Sequence, residues 1–165
     1  MNPHLPLARL EPDLPRLEPD LHIERFVLRL GMDYFLRLAT AFARVFDGDV
    51  TTALVFLSVA QASVKHLNAP TAISPLTVNG LFPDHLRRSI SVLAVAESLG
   101  SPYETVRRHV NRLVDRGYCL RTSGRGVMVP ASAFQRPEFR EVVELNLASL
   151  RQLTGGLERS GLQLR

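Results

Sequence analysis

Residues 96–129 constrain the fold most, because they combine two helical patterns, a tight turn and two short strand patterns. A short apolar segment ends at Gly100, a residue type that readily takes the left-handed conformation closing a helix. Ser101, Pro102 and Glu104 then match a capping box, in which the serine accepts from an amide three residues on and the glutamate reaches back. The pattern predicts two helices joined by a turn of about three residues.

The second of these helices, predicted over residues 102–116, has one apolar and one polar face. Its apolar stripe repeats every three or four residues, as a helix packed on a core requires. The opposite face is basic and rich in hydrogen-bonding groups, with Arg107 on its flank. Arginine and asparagine can bond base edges, and threonine can bond phosphate, so this face suits a major groove. The polar residues are Glu104, Thr105, Arg107, Arg108, Asn111 and Arg112.

A β-hairpin is predicted directly after this helix. Gly117 ends the helix, residues 118–122 alternate with the period of a strand, and residues 127–129 return as a second strand. The turn between them holds Arg125 between two glycines, where its side chain can reach a phosphate or a narrow minor groove. Arg121 on the first strand is expected to contact the DNA backbone.

These residues together resemble the winged helix-turn-helix of bacterial transcription regulators of the GntR, MarR and catabolite-activator classes. The resemblance rests on residues 99–108, on residues 113–117 and on the hairpin behind them. It implies a domain that binds double-stranded DNA. It also implies that Tyr103 and Arg108 meet base edges, while Thr105 and Arg112 meet the backbone.

The rest of the chain is predicted to be helical around this domain. The expected fold class is mainly α with a small β-hairpin wing, flanked by terminal helices that build a dimer. The apolar face of the first helix is either shared with a second subunit or packed within the chain. The predicted divisions are an extended or disordered arm (1–21), an N-terminal helix (22–47), the winged helix-turn-helix (48–130), a C-terminal helix (137–155) and a tail (156–165).

The segment before the helix-turn-helix has no regular hydrophobic pattern. Residues 68–82 lack periodicity and form either a packed loop or a pocket lid, which leaves a small-molecule effector an open question. A short turn follows, and then Ser89 or Ser91 caps the next helix. Arg87 and Arg88 either dock on DNA backbone or lie on a solvated turn.

Charge and composition agree with a nucleic-acid partner. The net charge is +4, and all but one of the 20 basic residues are arginine, which reflects either anion recognition or a GC-rich genome.

The single cysteine, Cys119, fits a reducing compartment. With no secretory signal and an apolar run over residues 50–64 too short to span a membrane, we expect a soluble, cytoplasmic protein without a membrane partner.

Catalytic and metal-binding patterns are absent from the sequence. The five histidines have no partner at metal-ligand spacing, and no phosphate-binding or nucleophile motif occurs. We therefore expect no enzyme activity and no cofactor, with His109 a polar residue at the edge of the core.

The sequence predicts a sequence-specific transcriptional regulator that binds double-stranded DNA as a homodimer, with recognition helices roughly 34 Å apart. The alternative is a winged-helix protein-interaction or dimerisation module. The predicted DNA-binding residues are Ser91, Ser101, Tyr103, Glu104, Thr105, Arg107, Arg108, Asn111, Arg112, Arg121 and Arg125.

Overall fold

The computed structural model describes residues 19–67, 77–124 and 126–161, and this part of the chain is mainly helical with a small antiparallel sheet. That much of the expected fold class is confirmed. Single 3₁₀ turns cover Lys65–Leu67, Asp84–Leu86 and Ala131–Gln135. The helices and strands in chain order are α1 (Pro19–Val45), α2 (Val50–Val64), β1 (Ile90–Ser91), α3 (Val92–Leu99), α4 (Tyr103–Asp115), β2 (Leu120–Arg121), β3 (Gly126–Met128) and α5 (Glu138–Arg159).

Helix α2 lies at the centre of the core, as its nearly continuous apolar sequence predicts. Val55, Phe56 and Val59 are fully buried, and the ring of Phe56 lies 5.4 Å from the ring of Phe139. With the following 3₁₀ turn, α2 is long and apolar enough to cross a membrane, contrary to the expectation from residues 50–64 alone. Its burial among the other helices is consistent with a soluble protein.

Helices α3 and α4 are joined by the predicted turn, but the predicted capping box does not form. Ser91 caps α3 by accepting a hydrogen bond from the Ala94 amide at 3.1 Å, and Gly100 closes it with a φ of 58°. At the start of α4, Pro102 occupies the cap position and has no side-chain hydrogen bond to offer. The capping-box prediction for Ser101 is therefore wrong. Its hydroxyl donates to the Leu99 carbonyl at 3.4 Å.

The sheet contains a strand that the sequence pattern did not reveal. β3 pairs with β2 in the predicted hairpin, and β1 adds on its other side, with Ile90 opposite Val127. A two-residue strand is too short to show an alternating pattern. Gly126 belongs to β3 rather than to the turn, and a Cβ there would lie 2.6 Å from Ser89 Oγ, so glycine permits the close approach of β1.

The two long terminal helices pack against each other, and both extend beyond their predicted bounds. α1 begins at Pro19, inside the predicted arm, because proline is well suited to the first position of a helix. α5 continues through Gly155 and Gly156 to Arg159, so the predicted helix end at residue 155 and the predicted tail from residue 156 are both wrong. The side chain of Leu30 on α1 fills the space beside Gly156. The glycine therefore serves helix packing instead of ending the helix.

The segment before β1 forms a short turn and then the predicted helical turn. Residues 68–76 lie outside the described residues, as do residues 1–18 of the predicted arm and residues 162–165 of the predicted tail. Arg87 is buried and donates hydrogen bonds to the carbonyl oxygens of Phe82 and Val129 at 3.0 and 3.1 Å. These bonds tie the segment to the end of the hairpin, and they make Arg87 a structural residue rather than a DNA contact.

Candidate nucleic-acid interface

Helix α4 divides sharply into a buried face and an exposed face. Val106, Val110 and Leu113 are fully buried against α2 and α3, at positions three and four residues apart. The outer face is exposed because no other element of the described chain covers it. This face lines a shallow groove of about 430 Å³ together with Asp115. The groove residues are Glu104, Thr105, Arg107, Arg108, Asn111, Arg112 and Asp115.

Arg108 is the one arginine of this groove whose guanidinium makes no hydrogen bond or ion pair with the described residues. A guanidinium presents five N–H donors in a planar fork, which matches the two acceptors on a guanine edge or the oxygens of a phosphate. Arg108 therefore offers its full donor set to a ligand that enters the groove.

Arg107 is neutralised by its neighbour one turn earlier. Its Nε and Nη2 atoms lie 2.8 and 2.7 Å from the same carboxylate oxygen of Glu104. Hydrogen bonding to Glu104 raises the pKa of the Arg107 guanidinium. Glu104 is thus occupied by Arg107 and does not reach back to the start of the helix.

Two further arginines, Arg112 on α4 and Arg116 directly after it, bind the corner between α1 and α2. Arg112 Nη1 lies 3.3 Å from Asp49 Oδ2, and Arg116 Nη1 lies 2.9 Å from Asp47 Oδ2. Asp47 reaches this position with a φ of 56°, in the left-handed region. Both pairs are largely exposed, and exposed ion pairs contribute about 0–1 kcal/mol, so a phosphate can compete with either carboxylate.

Asp49 also leads inward to a buried histidine. Its carboxylate caps α2 by accepting from the Thr52 amide at 2.9 Å, and the Thr52 hydroxyl lies 2.7 Å from His109 Nδ1. Burial acts to raise the pKa of Asp49, but the Thr52 hydrogen bonds and the charges of His109 and Arg112 together bring it below its usual value. Burial lowers the pKa of His109, so its neutral form is favoured. His109 is therefore a structural polar residue, in agreement with the sequence interpretation.

The hairpin is tied to the outer face of α4 by one short hydrogen bond. Arg121 Nη2 on β2 donates to the amide oxygen of Asn111 at 2.6 Å. This bond occupies the acceptor of Asn111 and leaves its NH₂ group as the unpaired half of the amide among the described residues. Asn111 is thereby prepared to donate into the groove.

The remaining predicted residues occupy different positions. Tyr103 is 44% exposed at the start of α4, and Thr105 is half-buried in the groove. Ser91 caps α3, and Ser101 lies in the turn. Arg125 lies outside the described residues.

The described part of the chain contains no cluster of histidine, cysteine and acidic side chains that could hold a metal ion. Cys119 is fully buried, and burial raises the pKa of its thiol to about 12, so its thiolate is inaccessible at neutral pH.

Sequence reasoning missed the acidic partners of the arginines. Asp47 and Asp49 lie in the Asp47-Gly48-Asp49 segment, whose local pattern indicates only a helix break and a cap. Their contacts with Arg116 and Arg112 join positions 69 and 63 residues apart, a separation that no local pattern can show. The only signal in the sequence is the pair of aspartates on either side of Gly48.

Comparison with protein-family models, with curated proteins and with solved structures finds no match to the chain.

Proposed function

We propose that the chain binds double-stranded DNA through a winged helix-turn-helix formed by α3, α4 and the β2–β3 hairpin, and acts as a transcriptional regulator. Helix α4 enters the major groove with its outer face, and the hairpin lies against the backbone. Arg108 carries this proposal, because its guanidinium has no partner in the part of the chain that the structure describes and lies at the centre of an exposed, polar helix face.

The chemistry of that face favours base reading over backbone contact alone. Arg108 and the NH₂ group of Asn111 are donors one turn apart, and the major-groove edge of a purine presents acceptors. Arg121 fixes the direction of the Asn111 amide from the hairpin. The face is therefore best suited to sequences with guanine opposite Arg108 and an acceptor opposite Asn111.

A protein-interaction module remains the second candidate, favoured by the charge balance of the same region. Arg107, Arg112 and Arg116 each have a carboxylate partner in the chain, which weakens the attraction to polyanionic DNA. Against this candidate, Tyr103 is the only large, substantially exposed aromatic or aliphatic side chain of α4. Interaction surfaces usually present several such anchors.

Selection from a random duplex library at two salt concentrations tests the proposal. The wild type should enrich a motif that Arg108→Ala loses, whereas Arg151→Ala, which removes an exposed arginine on α5, should keep it. Binding without any enriched motif, or equal losses for both variants, would contradict base reading and favour the interaction module.

A further inference from the structure

Helix α1 has two apolar faces, and the described residues of the chain cover only one of them. Its inner face packs on α5, where Tyr34 donates to Asn146 and Leu30 fills the space beside Gly156. On the other side, four large apolar residues form what we call the outer stripe. They are Leu28, Met32, Phe35 and Leu36, with exposed fractions of 62%, 55%, 59% and 60%.

We propose that the outer stripe is a homodimer seam, in which α1 packs antiparallel against α1 of a second copy of this chain. The stripe follows the spacing i, i+4, i+7, i+8 of a single helix face. At about 100° per residue it lies well over a quarter turn from the inner face that contains Leu30 and Tyr34. Intrachain packing needs only one apolar face, so the second face indicates a further partner. This proposal does not depend on DNA binding.

The exposed area is of the size that an association requires. Each of the four side chains exposes on the order of 100 Å², so pairing two stripes buries roughly 800 Å² in total. Flanking side chains bring the total close to the 1,000 to 1,200 Å² at which specific interfaces begin. A closed two-fold pair uses the same surface on both copies, which is the commonest arrangement of homo-oligomers.

Charge and shape select the antiparallel direction. Arg25 and Arg29 lie beside the stripe, and a parallel pair in register would bring each of them against its own copy. In an antiparallel pair centred on Met32, Leu28 faces Leu36 of the partner subunit, and Arg25 faces the small Ala39 of the partner subunit. Arg29 then lies against Phe35 of the partner subunit, where a guanidinium can stack on an aromatic ring. The antiparallel pair therefore avoids arginine repulsion and covers all four stripe residues.

Charge-swap variants test both the seam and its direction in the full chain. By analytical ultracentrifugation at micromolar concentration, the wild type should be a dimer. Leu28→Glu and Leu36→Lys should each raise the dimer dissociation constant by at least about 100-fold. The double variant should recover dimerisation, because each glutamate then faces a lysine of the partner subunit. Val50→Glu is the matched control: it charges a similarly exposed apolar residue, at the first position of α2, and should remain dimeric.

A cysteine placed at the centre of the seam gives an independent measurement. Met32→Cys should form an intermolecular disulfide under mild oxidation, since it lies on the two-fold axis, and Val50→Cys should not. The native Cys119 is fully buried and does not compete. A monomeric wild type would overturn the proposal. A dimer that survives both single substitutions would overturn the seam. Failure of the double variant to recover would overturn the antiparallel direction, and absent cross-linking would overturn the seam. None of these outcomes depends on DNA, so loss of the seam and loss of DNA binding are separate results.

Discussion

Two neighbouring glycines in α5 provide a sharp test of the packing between the terminal helices. Replacing either Gly155 or Gly156 by alanine should gain about 1 kcal/mol of helix propensity, because both lie inside the helix. Only at Gly156 does the new methyl group meet α1. A Cβ there would lie 2.8 and 2.9 Å from the two terminal methyl carbons of Leu30, whereas the nearest atom at Gly155 is Arg159 Nη1 at 3.4 Å.

The magnitudes predict different outcomes for the two substitutions. Overpacking a close contact costs about 1–3 kcal/mol, which equals or exceeds the propensity gain. Gly155→Ala should therefore raise the free energy of unfolding by about 1 kcal/mol, while Gly156→Ala should leave it unchanged or lower it by about 2 kcal/mol. Urea unfolding at a common temperature measures both, and Tm should differ by several degrees in the same direction.

A second substitution assigns the cost to the predicted contact. Leu30→Ala should destabilise the wild type more than it destabilises Gly156→Ala, because the added methyl group occupies part of the vacated space. If Gly156→Ala is as stable as Gly155→Ala and shows no coupling to Leu30, α1 and α5 do not approach each other as described.

Three further predictions concern the interior and the hairpin. Burial lowers the pKa of His109, so the unfolded chain binds a proton at this histidine more tightly than the folded chain does. The free energy of unfolding is therefore not reduced by this group above the usual histidine pKa, and it falls as the pH drops below that value. Denaturant unfolding should therefore show a smaller loss of stability from about pH 7.5 to pH 5.5 in His109→Gln than in the wild type, and equal losses would contradict this account. Arg87→Met should cost about 2–4 kcal/mol of unfolding free energy, since two carbonyl groups lose their donor, and a near-neutral result would refute the structural role of Arg87. Arg121→Ala should broaden the base preference opposite Asn111 in a selected library and leave the preference opposite Arg108 intact, and an unchanged motif would show that the hairpin does not orient Asn111.

The local signals in the sequence predicted much of the fold. Several features are decided by residues within a few positions of one another: the nearly continuous apolar run of α2, the apolar spacing of α4, the closing conformation of Gly100 and the cap at Ser91. Such features can be derived from periodicity and capping preferences alone. The hairpin belongs to the same group, since its turn and strands are adjacent in the chain.

The errors arose where distant parts of the chain determine the structure. Gly156 was interpreted as a helix end, because the sequence does not show that Leu30 fills the space beside it. β1 forms only because Ile90 pairs with Val127 on β3, which is distant in the sequence. In both cases, tertiary packing overrides a local preference.

The candidate site shows the same division. The polar face of α4 was predictable, because a helical period assigns residues to faces. The sequence did not show which arginines have carboxylate partners, because Asp47 and Asp49 lie in the distant turn between α1 and α2. The pairing of Arg112, and the lack of a partner for Arg108 among the described residues, are therefore properties of the folded structure and not of the local sequence.

The pairing of α1 with α5 has a consequence for biosynthesis. α1 leaves the ribosome before α5, and the part of its inner face that packs on α5 waits for a helix that ends at residue 159, more than a hundred positions later. At translation rates of about 5–20 residues per second, that part of the inner face and the outer stripe stay exposed for roughly 5–20 s. During that interval the nascent chain presents a long helix with unprotected leucine and phenylalanine side chains, a natural substrate for a chaperone. Chains cut short before α5 should accordingly aggregate or be degraded, even though every element of the proposed DNA-binding unit has already been made.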